Sequence, residues 1–416
     1  MKRFFIEGYG CSLNISETEQ IAGVLKENGF VSVNDFKHAN FIIINTCSVK
    51  QVTEQRMLSR INFLLENKKP ESKLIVSGCL ASAQAESISD ISKEIIVLNN
   101  SLSSLCRALG LREKEFSPEI TPVKSKELIS IIPISTGCLG SCAYCSARLA
   151  RKQLHSYPVE SINAGFKRAI SSGSKEVWLT SQDLGCYGFD INSSLPVLVK
   201  KLLENKGHFR IRLGMMNPNH FLKIKKELMP LFSDERLYKF LHLPLQSGSD
   251  FVLKSMNRKY LIKDYLSCIK FARKSVPKIS ISTDIIVGFP NESEKDFKKT
   301  LAMIKKIRFD VVNISRFGKR KGTIAESMTG QLTEEEKKRR STLLNAFCDF
   351  GFFEKNKKLV GKEVTCLVSE KVNDGFNGRT NEYKPVFLEK GYGSFVKVKI
   401  IAAKPHFLRG KVLRTL

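Results

Sequence analysis

The segment ISTGCLGSCAYCSARLARKQLHSYP, residues 134–158, decides how this chain is interpreted. It spaces Cys138, Cys142 and Cys145 as C-x3-C-x2-C. A structural zinc site takes four protein ligands, and ordinary ferredoxins hold each cluster with four cysteines. Three thiolates on one short loop can hold three irons of a [4Fe–4S] cluster and leave the fourth iron open. The alternatives are a zinc site that borrows a fourth ligand elsewhere, or three buried thiols.

The composition is that of a large, basic globular protein. The chain has 416 residues, which predicts two or three domains, and 42% of its residues are hydrophobic. Its net charge of +27 favours a polyanionic partner such as a nucleic acid. No stretch resembles a membrane helix, and the start MKRFFIEGYG lacks the apolar core of a signal peptide. We therefore expect a cytoplasmic protein, in which eleven cysteines favour metal binding over disulfides.

The first 111 residues alternate between apolar runs and helical patterns, which predicts a doubly wound parallel α/β domain. Cys11, Cys47 and Cys79 each follow an apolar run, in RFFIEGYGC, FIIINTC and KLIVSGC. The carboxyl ends of parallel strands meet at one edge of a sheet, which is where such sheets bind ligands. The three thiols are therefore expected to meet and to hold a second [4Fe–4S] cluster. Any one of them alone reads equally well as a buried small residue, as Cys106 does.

Local signals also predict where helices begin and end. Ser16 with Glu19 forms a capping box, which predicts a helix start, and Gly29 predicts its end. Thr333 with Glu336 predicts the start of a long helix. The charge run of that helix favours a solvated face with i,i+4 ion pairs.

The middle of the chain is predicted to be a partial (β/α)6 barrel over residues 128–355, after a polar linker at 112–127. In such barrels the catalytic groups lie on loops at the C-terminal ends of the strands, and the cysteine loop follows the first strand. The six strand candidates are LISIIPIS, EVWLTSQ, RIRLGMM, KFLHLPLQ, ISISTDIIVGF and DVVNISRF.

Residues 356–416 change to short alternating strands, which predicts a small antiparallel β-barrel. This segment carries 13 lysines and arginines against five acidic residues. The excess favours a role in binding a polyanion, with ordinary surface lysines as the alternative.

The cysteine loop, with Tyr144 just before its last cysteine, resembles the cluster loop of the radical-SAM superfamily. The resemblance implies that the open iron binds S-adenosyl-L-methionine (SAM) and that reductive cleavage of SAM yields a 5′-deoxyadenosyl radical. The cofactor would carry the difficult chemistry, and the protein would position the reactants and exclude water.

A narrower resemblance covers nearly the whole chain. The stretches GYGCSLN, NTCSV, SGC, WLTSQDLGCYGFD, MMNPNH, HLPLQSGSDFVLKSMNRKY and TDIIVGFPNESEKDF are similar to the methylthiotransferase family. This implies that Cys11, Cys47 and Cys79 bind a second cluster that carries the sulfur to be inserted. The contacts to SAM that it implies are Tyr144, Gln182, Gln246, Ser247 and Gly288.

The C-terminal stretch GFNGRTNEYKPVFL resembles the TRAM domain, which implies RNA contact by Arg379, Tyr383 and Lys384. Two stretches depart from the family pattern. Where the family has ARG after the cluster loop, this chain has Ala150-Arg151-Lys152, and the usual RPGT is Arg320-Lys321-Gly322-Thr323. Both changes put the local turn geometry in doubt and add positive charge.

The segment ARLARKQLHSYP resembles the archaeal and eukaryotic branch of the family. That branch implies addition of a methylthio group to carbon 2 of N6-threonylcarbamoyladenosine at tRNA position 37, with a second SAM as methyl donor. The alternatives are isopentenyladenosine in tRNA, a ribosomal protein aspartate, or a non-catalytic iron–sulfur RNA-binding protein. Eukaryotic members usually end in a membrane anchor, whereas this chain ends in VLRTL, so we expect a soluble, archaeal-type enzyme. We also expect a monomer that depends on a separate electron donor and sulfur source.

Overall fold

The computed structural model describes residues 1–48, 51–151 and 153–416, with the backbone alone at residues 51 and 52. The described chain forms an α/β domain, a barrel of parallel strands and a small closed β-barrel, as the sequence predicts. None of the described helices is long and apolar enough to cross a membrane.

The N-terminal domain is a five-stranded sheet in the order β2-β1-β3-β4-β5, and every strand pair in it is parallel. Its central strands are buried on both faces, because helices cover both sides of the sheet. The strands are β1 Arg3–Gly8, β2 Val31–Ser32, β3 Phe41–Thr46, β4 Lys73–Gly78 and β5 Ile96–Val97; the helices are α1 Ser12–Glu27, α2 Gln51–Asn67, α3 Cys79–Ala83, α4 Ala85–Ser89 and α5 Leu102–Ala108.

The first helix begins five residues earlier than the capping box predicts. Helix α1 starts at Ser12, with Cys11 as its N-cap residue. The Ser16 hydroxyl donates to the carbonyl of Ile131 at 3.0 Å, and Glu19 accepts from the amide and hydroxyl of Ser125. The two side chains therefore bind the linker and the next domain instead of capping the helix. The predicted end is confirmed, with Gly29 at φ 79° after the last turn.

The central domain contains six parallel strands in the order β6-β9-β10-β11-β12-β13, where parallel bridges connect β10 to β11. This is the predicted partial barrel, and all six strand candidates are confirmed. Its strands are β6 Ile129–Pro133, β7 Ser135–Thr136, β8 His155–Ser156, β9 Glu176–Thr180, β10 Arg210–Leu213, β11 Phe240–His242, β12 Ser280–Val287 and β13 Val311–Arg316; its helices are α6 Ala147–Ala150, α7 Val159–Ser171, α8 Leu195–Leu203, α9 Pro218–Leu228, α10 Asp250–Ser255, α11 Ile262–Ser275, α12 Glu294–Ile307 and α13 Glu334–Lys357.

Helix α13 starts as predicted, because the Thr333 hydroxyl accepts from the amide of Glu336. The predicted solvated face is confirmed only in part: the i,i+4 pair of Glu336 with Arg340 is present at 2.7 Å, but two cations of the run are buried. Lys337 and Arg340 are each only 4% exposed. Arg340 donates to the carboxylate of Glu292 at 2.8 Å and to its carbonyl at 2.9 Å. One side of the helix therefore faces the loop after β12, where the buried carboxylate of Glu292 requires a cation such as Arg340.

The C-terminal barrel closes in the order β14-β15-β16-β18-β17. It docks at the N-terminal ends of the central strands, where Ser369 donates to Glu176 at 2.8 Å and the amide of Lys239 donates to the carbonyl of Asn381 at 2.8 Å. This is the end opposite to the cysteine loops. The strands are β14 Glu363–Val372, β15 Gly375–Thr380, β16 Pro385–Leu388, β17 Phe395–Ala403 and β18 Leu408–Thr415.

Residues 112–127 contain no helix or strand, but they pack tightly against the domains on either side. A Cβ at Gly23 of α1 would overlap the carbonyl of Thr121, and a Cβ at Gly165 of α7 would overlap the carbonyl of Pro118. The linker backbone therefore approaches two helices closely, and only glycine leaves room for it.

We predict that Gly165→Ala displaces the linker and lowers the free energy of unfolding by about 1–3 kcal/mol, the usual cost of overpacking. Thermal unfolding and limited proteolysis at residues 112–127 measure this. Gly351→Ala in α13 is the control, because nothing lies within 4 Å of its Cβ position and alanine is the better helix former. Equal stability of the two variants would contradict the prediction.

Candidate active site

The three N-terminal cysteines lie at the carboxyl ends of adjacent strands. Cys11 follows β1, Cys47 follows β3 and Cys79 begins α3 directly after β4. The chain at Gly10, with φ 105°, approaches Cys47 so closely that a Cβ there would lie 2.5 Å from Cys47 Sγ. The topology thus gathers the three loops, as expected, and their binding of a cluster stays a prediction.

Two asparagines connect these loops. Asn14 Nδ2 donates to the carbonyl of Thr46 at 2.7 Å and to that of Tyr9 at 3.0 Å. Asn45 Nδ2 donates to the carbonyl of Asn14 at 2.9 Å. The ends of β1 and β3 are therefore held by amide side chains.

A buried arginine reaches this site from the central domain. Arg151 forms a bidentate ion pair with Glu17, at 2.5 and 2.6 Å, and donates to Asn14 Oδ1 at 2.9 Å. Its Nε lies 3.4 Å from Cys79 Sγ, and its Nη1 donates to Thr136 at 3.2 Å. Burial raises the pKa of the Cys79 thiol to about 11, and Arg151 acts in the opposite direction. Sequence reasoning gave Arg151 no role, because it matches the family's ARG; the departure is Lys152, which lies outside the described residues.

The second cysteine loop is closed by the short antiparallel pair of β7 and β8. Gly137 has φ 77°, and a Cβ there would overlap the carbonyl of Gln153. The amide of Gly140 donates to Cys138 Sγ at 3.2 Å. A Cβ at Gly140 would lie 3.2 Å from Cys138 Sγ and 3.8 Å from Cys142 Sγ, so both sulfur atoms flank this glycine. The loop therefore brings two of its three thiols together before any cofactor is considered.

Arg258 supports the second thiol of this loop. Its Nη1 donates to Cys142 Sγ at 3.0 Å and its Nη2 to Asn217 Oδ1 at 2.8 Å. A cation that donates to sulfur stabilises a thiolate. Sequence reasoning missed this residue, because Arg258-Lys259 resembles an ordinary exposed basic pair.

Cys186, which the sequence also did not single out, lies against Cys138. A hydrogen bond from Cys186 lowers the pKa of Cys138 to about 7. Among the described residues, Asp183, Cys186 and His220 place one possible ligand atom each within 4.8 Å of the others. The Asp183 carboxylate is already used, since it pairs with His220 Nδ1 at 2.6 Å and accepts two backbone amides. We interpret this group as support for the loop and not as a metal site.

A cavity of about 800 Å³ adjoins the third thiol of the loop. Cys145 and Tyr144 line it together with Gln246 and Asp284. Burial raises the pKa of Cys145 to about 11. Gln246 Oε1 and Gln182 Oε1 are buried and have no hydrogen-bond partner in the described chain. Such unsatisfied acceptors fit a ligand with ammonium or hydroxyl donors, and SAM has both.

Gln182 and the other two predicted SAM contacts, Ser247 and Gly288, are not among the residues that line this cavity. Ser247 is fully buried, with its hydroxyl 3.5 Å from that of Thr300. Gly288 has φ 72°, and a Cβ there would overlap the Lys337 side chain. The contact of these three residues with SAM stays a prediction.

The three predicted RNA contacts face the central barrel. The Tyr383 ring packs edge-on against Tyr238, with 4.8 Å between ring centroids, and the guanidinium of Arg379 lies 4.8 Å from the Tyr383 ring. Lys384 Nζ pairs with Asp310 at 3.2 Å. Each side chain therefore has an intramolecular role, and RNA contact by these residues stays a prediction.

Comparison with known proteins assigns this architecture. Residues 3–99 match the model of "Uncharacterized protein family UPF0004", residues 132–304 that of the Radical SAM superfamily and residues 357–413 that of the TRAM domain. A protein of Pyrococcus horikoshii named "Probable threonylcarbamoyladenosine tRNA methylthiotransferase" is 37% identical, over 99% of this chain and all of that protein. The chain belongs to the threonylcarbamoyladenosine tRNA methylthiotransferase family.

Members of this family from other kingdoms are also similar. The Xenopus laevis threonylcarbamoyladenosine tRNA methylthiotransferase is 33% identical, over 99% of this chain and 77% of that protein. Among solved structures, the radical SAM methyltransferase TsrM from Kitasatospora setae, with cobalamin and a [4Fe–4S] cluster bound, has a TM-score of 0.57 at 10% identity. The match covers 78% of this chain and 77% of TsrM. Because the identity is only 10%, the match supports the fold alone.

We predict that Arg151→Met lowers the free energy of unfolding of the apoprotein by about 3–5 kcal/mol, because it leaves Glu17 charged and buried. Chemical denaturation measures this change. The double variant Arg151→Met with Glu17→Met removes both charges and should recover most of the stability. A single variant as stable as the wild type would show that the pair does not hold the domains together.

Proposed function

We propose that this chain is a tRNA methylthiotransferase that adds a methylthio group to carbon 2 of N6-threonylcarbamoyladenosine at position 37, with a second SAM as methyl donor. The observation that carries the proposal is the pair of three-cysteine sites, which a single buried arginine connects. The relatives' names support the same substrate.

Cys138, Cys142 and Cys145 would hold the cluster that binds SAM, and Cys11, Cys47 and Cys79 would hold the second cluster. When bound, the first cluster and SAM supply a 5′-deoxyadenosyl radical that removes hydrogen from the base. The chain itself positions the reactants and excludes water from the site. Arg258 holds Cys142 in place, Tyr144 and Phe317 line the cavity, and Gln246 offers an acceptor to the bound ligand.

The cavity also supports the choice of nucleoside. Arg316 lines it, is exposed, and forms no ion pair in the described chain. Arg320 lines it too and pairs with Glu54 at 3.2 Å. A free guanidinium matches the carboxylate of a threonylcarbamoyl group, which an isopentenyl group lacks.

The reaction needs a separate electron donor and a sulfur source. We propose that it takes place in the cytoplasm, which holds tRNA and keeps thiols reduced, in keeping with eleven cysteines that form no disulfide in the described chain.

We predict that the anaerobically reconstituted protein holds two [4Fe–4S] clusters, or about eight irons. Replacing Cys138, Cys142 and Cys145 with Ala should leave about four irons, which iron analysis and electron paramagnetic resonance measure. Replacing Cys79 alone should spare 5′-deoxyadenosine formation and stop methylthio transfer. Saturation of the wild type at four irons, or stoichiometric zinc, would contradict the prediction.

We predict activity on tRNA that carries the threonylcarbamoyl group and none on the same tRNA without it. Mass spectrometry of nucleosides after reaction with SAM and a reductant decides this. Isopentenylated tRNA and a ribosomal protein are the comparison substrates. Activity on either of those alone would move the chain to another branch of the same chemistry, and 5′-deoxyadenosine formation without any product would leave the substrate open.

A further inference from the structure

The C-terminal barrel carries a cluster of unpaired cations on the hairpin of β17 and β18. These cations are not the residues that the sequence motif marks. Of the motif residues, Tyr383 packs against Tyr238 and Lys384 pairs with Asp310, both in the central domain, and Arg379 lies over the Tyr383 ring. Side chains committed to that packing are poorly placed to meet a large ligand. The surface that such a ligand would use has to be sought among outward side chains on the other strands of the barrel.

The hairpin places cations directly opposite one another. In its register Lys397 is the partner of Arg414, and Lys399 is the partner of Lys411. Val396, Val398 and Ile400 alternate with the lysines of β17 and are fully buried, so the lysines point outward. Lys399, Lys411 and Arg414 are exposed. We call the side chains of Lys397, Lys399, Lys411 and Arg414 the cationic ladder.

Like charges at directly opposite positions of an antiparallel pair destabilise it. None of the four side chains forms an ion pair within the described chain, although Glu363 on β14 is the register partner of Lys399. Glu363 therefore offsets part of the repulsion at Lys399, whereas the partner of Lys397 on β14 is the uncharged Thr365. A polyanion would offset the repulsion that remains.

Some cations of this domain are paired, as Lys384 is with Asp310 and Arg379 with Glu370, and others, such as Lys362 and Lys390, are exposed without an ion pair among the described residues. The ladder differs from both kinds because its cations lie directly opposite one another.

A further cation on β18 and an aromatic ring on the adjacent strand β16 lie beside the ladder. Arg409 of β18 is the register partner of Phe387 of β16, and its guanidinium lies 5.3 Å from the Phe387 ring. Outward cations beside an aromatic ring suit a nucleic acid, because phosphates take the charges and an unstacked base can lie on the ring.

We infer that the cationic ladder binds the phosphate backbone of the tRNA substrate. The inference rests on the proposed function for the identity of the polyanion. It assigns the two basic sets of the C-terminal barrel different tasks: the motif residues attach the barrel to the enzyme, and the ladder holds the RNA.

The test compares two variants of the full-length reconstituted protein that remove the same charge. The ladder variant replaces Lys397, Lys399, Lys411 and Arg414 with Gln. The control variant replaces Lys263, Lys270, Lys274 and Lys278 with Gln, on and just after the outer face of α11, where all four are exposed. Affinity for threonylcarbamoylated tRNA is measured at several salt concentrations.

We expect the ladder variant to bind about tenfold more weakly or worse at physiological salt. The slope of its log affinity against log salt should become shallower by about one for every phosphate that the variant no longer neutralises. Its thermal midpoint should be unchanged or higher, because the opposed charges are gone. The control variant should keep most of its affinity. Equal weakening in both variants, or an unchanged ladder variant, would overturn the inference.

Two further measurements separate the remaining outcomes. Lys384→Gln should lower the thermal midpoint and leave the tRNA affinity unchanged. Weaker tRNA binding with an unchanged thermal midpoint would overturn the assignment of tasks. Binding to anionic phospholipid vesicles that is tighter than binding to tRNA would also overturn it. Weaker tRNA binding by the ladder variant, together with no methylthiolation by the wild type, would support the inference and reject the proposed function.

Discussion

The buried ion pair between Arg151 and Glu17 fixes how the first two domains meet. Both side chains are almost fully shielded, at 3% and 4% exposure, so neither charge is stable there without the other. The guanidinium also contacts Cys79 of one cysteine set and Thr136 at the base of the loop that carries the other. The side chain of Arg151 therefore contacts both cysteine-containing regions, which lie on different sheets.

The proposed function requires that relation, because a group held at one site would have to reach a base activated at the other. Further contacts around the same seam maintain it. Ser12 lies 2.7 Å from Thr180 between hydroxyl oxygens, and the Ser146 hydroxyl donates to the carbonyl of Ser48 at 2.9 Å. All these contacts involve the carboxyl ends of strands, whereas the C-terminal barrel docks at the amino ends. Reaction chemistry and barrel docking thus occupy opposite ends of the central domain, as is usual for barrels of parallel strands.

The features that the sequence predicted correctly are those with local causes. Apolar runs and their spacing identified the strands, and the cysteines at their ends followed from parallel topology. The capping box failed because Ser16 and Glu19 find partners more than 100 residues away, in Ile131 and Ser125. Cys186 and Arg258 were missed for the same reason, since their partners Cys138 and Cys142 are distant in sequence. Local patterns predict elements well, but they do not show which polar side chain meets which across a domain boundary.

The net charge of this chain likewise does not show which polar side chains meet in the fold. A net charge of +27 predicts a polyanionic partner, yet it does not say which cations are available to it. Arg151 and Arg340 are buried in ion pairs with glutamates, and Lys384 holds a domain contact through Asp310. Such cations release no counterions when RNA binds, because a protein carboxylate already neutralises them. Only exposed and uncompensated cations contribute to the salt dependence of binding, and in the C-terminal barrel several of them lie together on the β17–β18 hairpin.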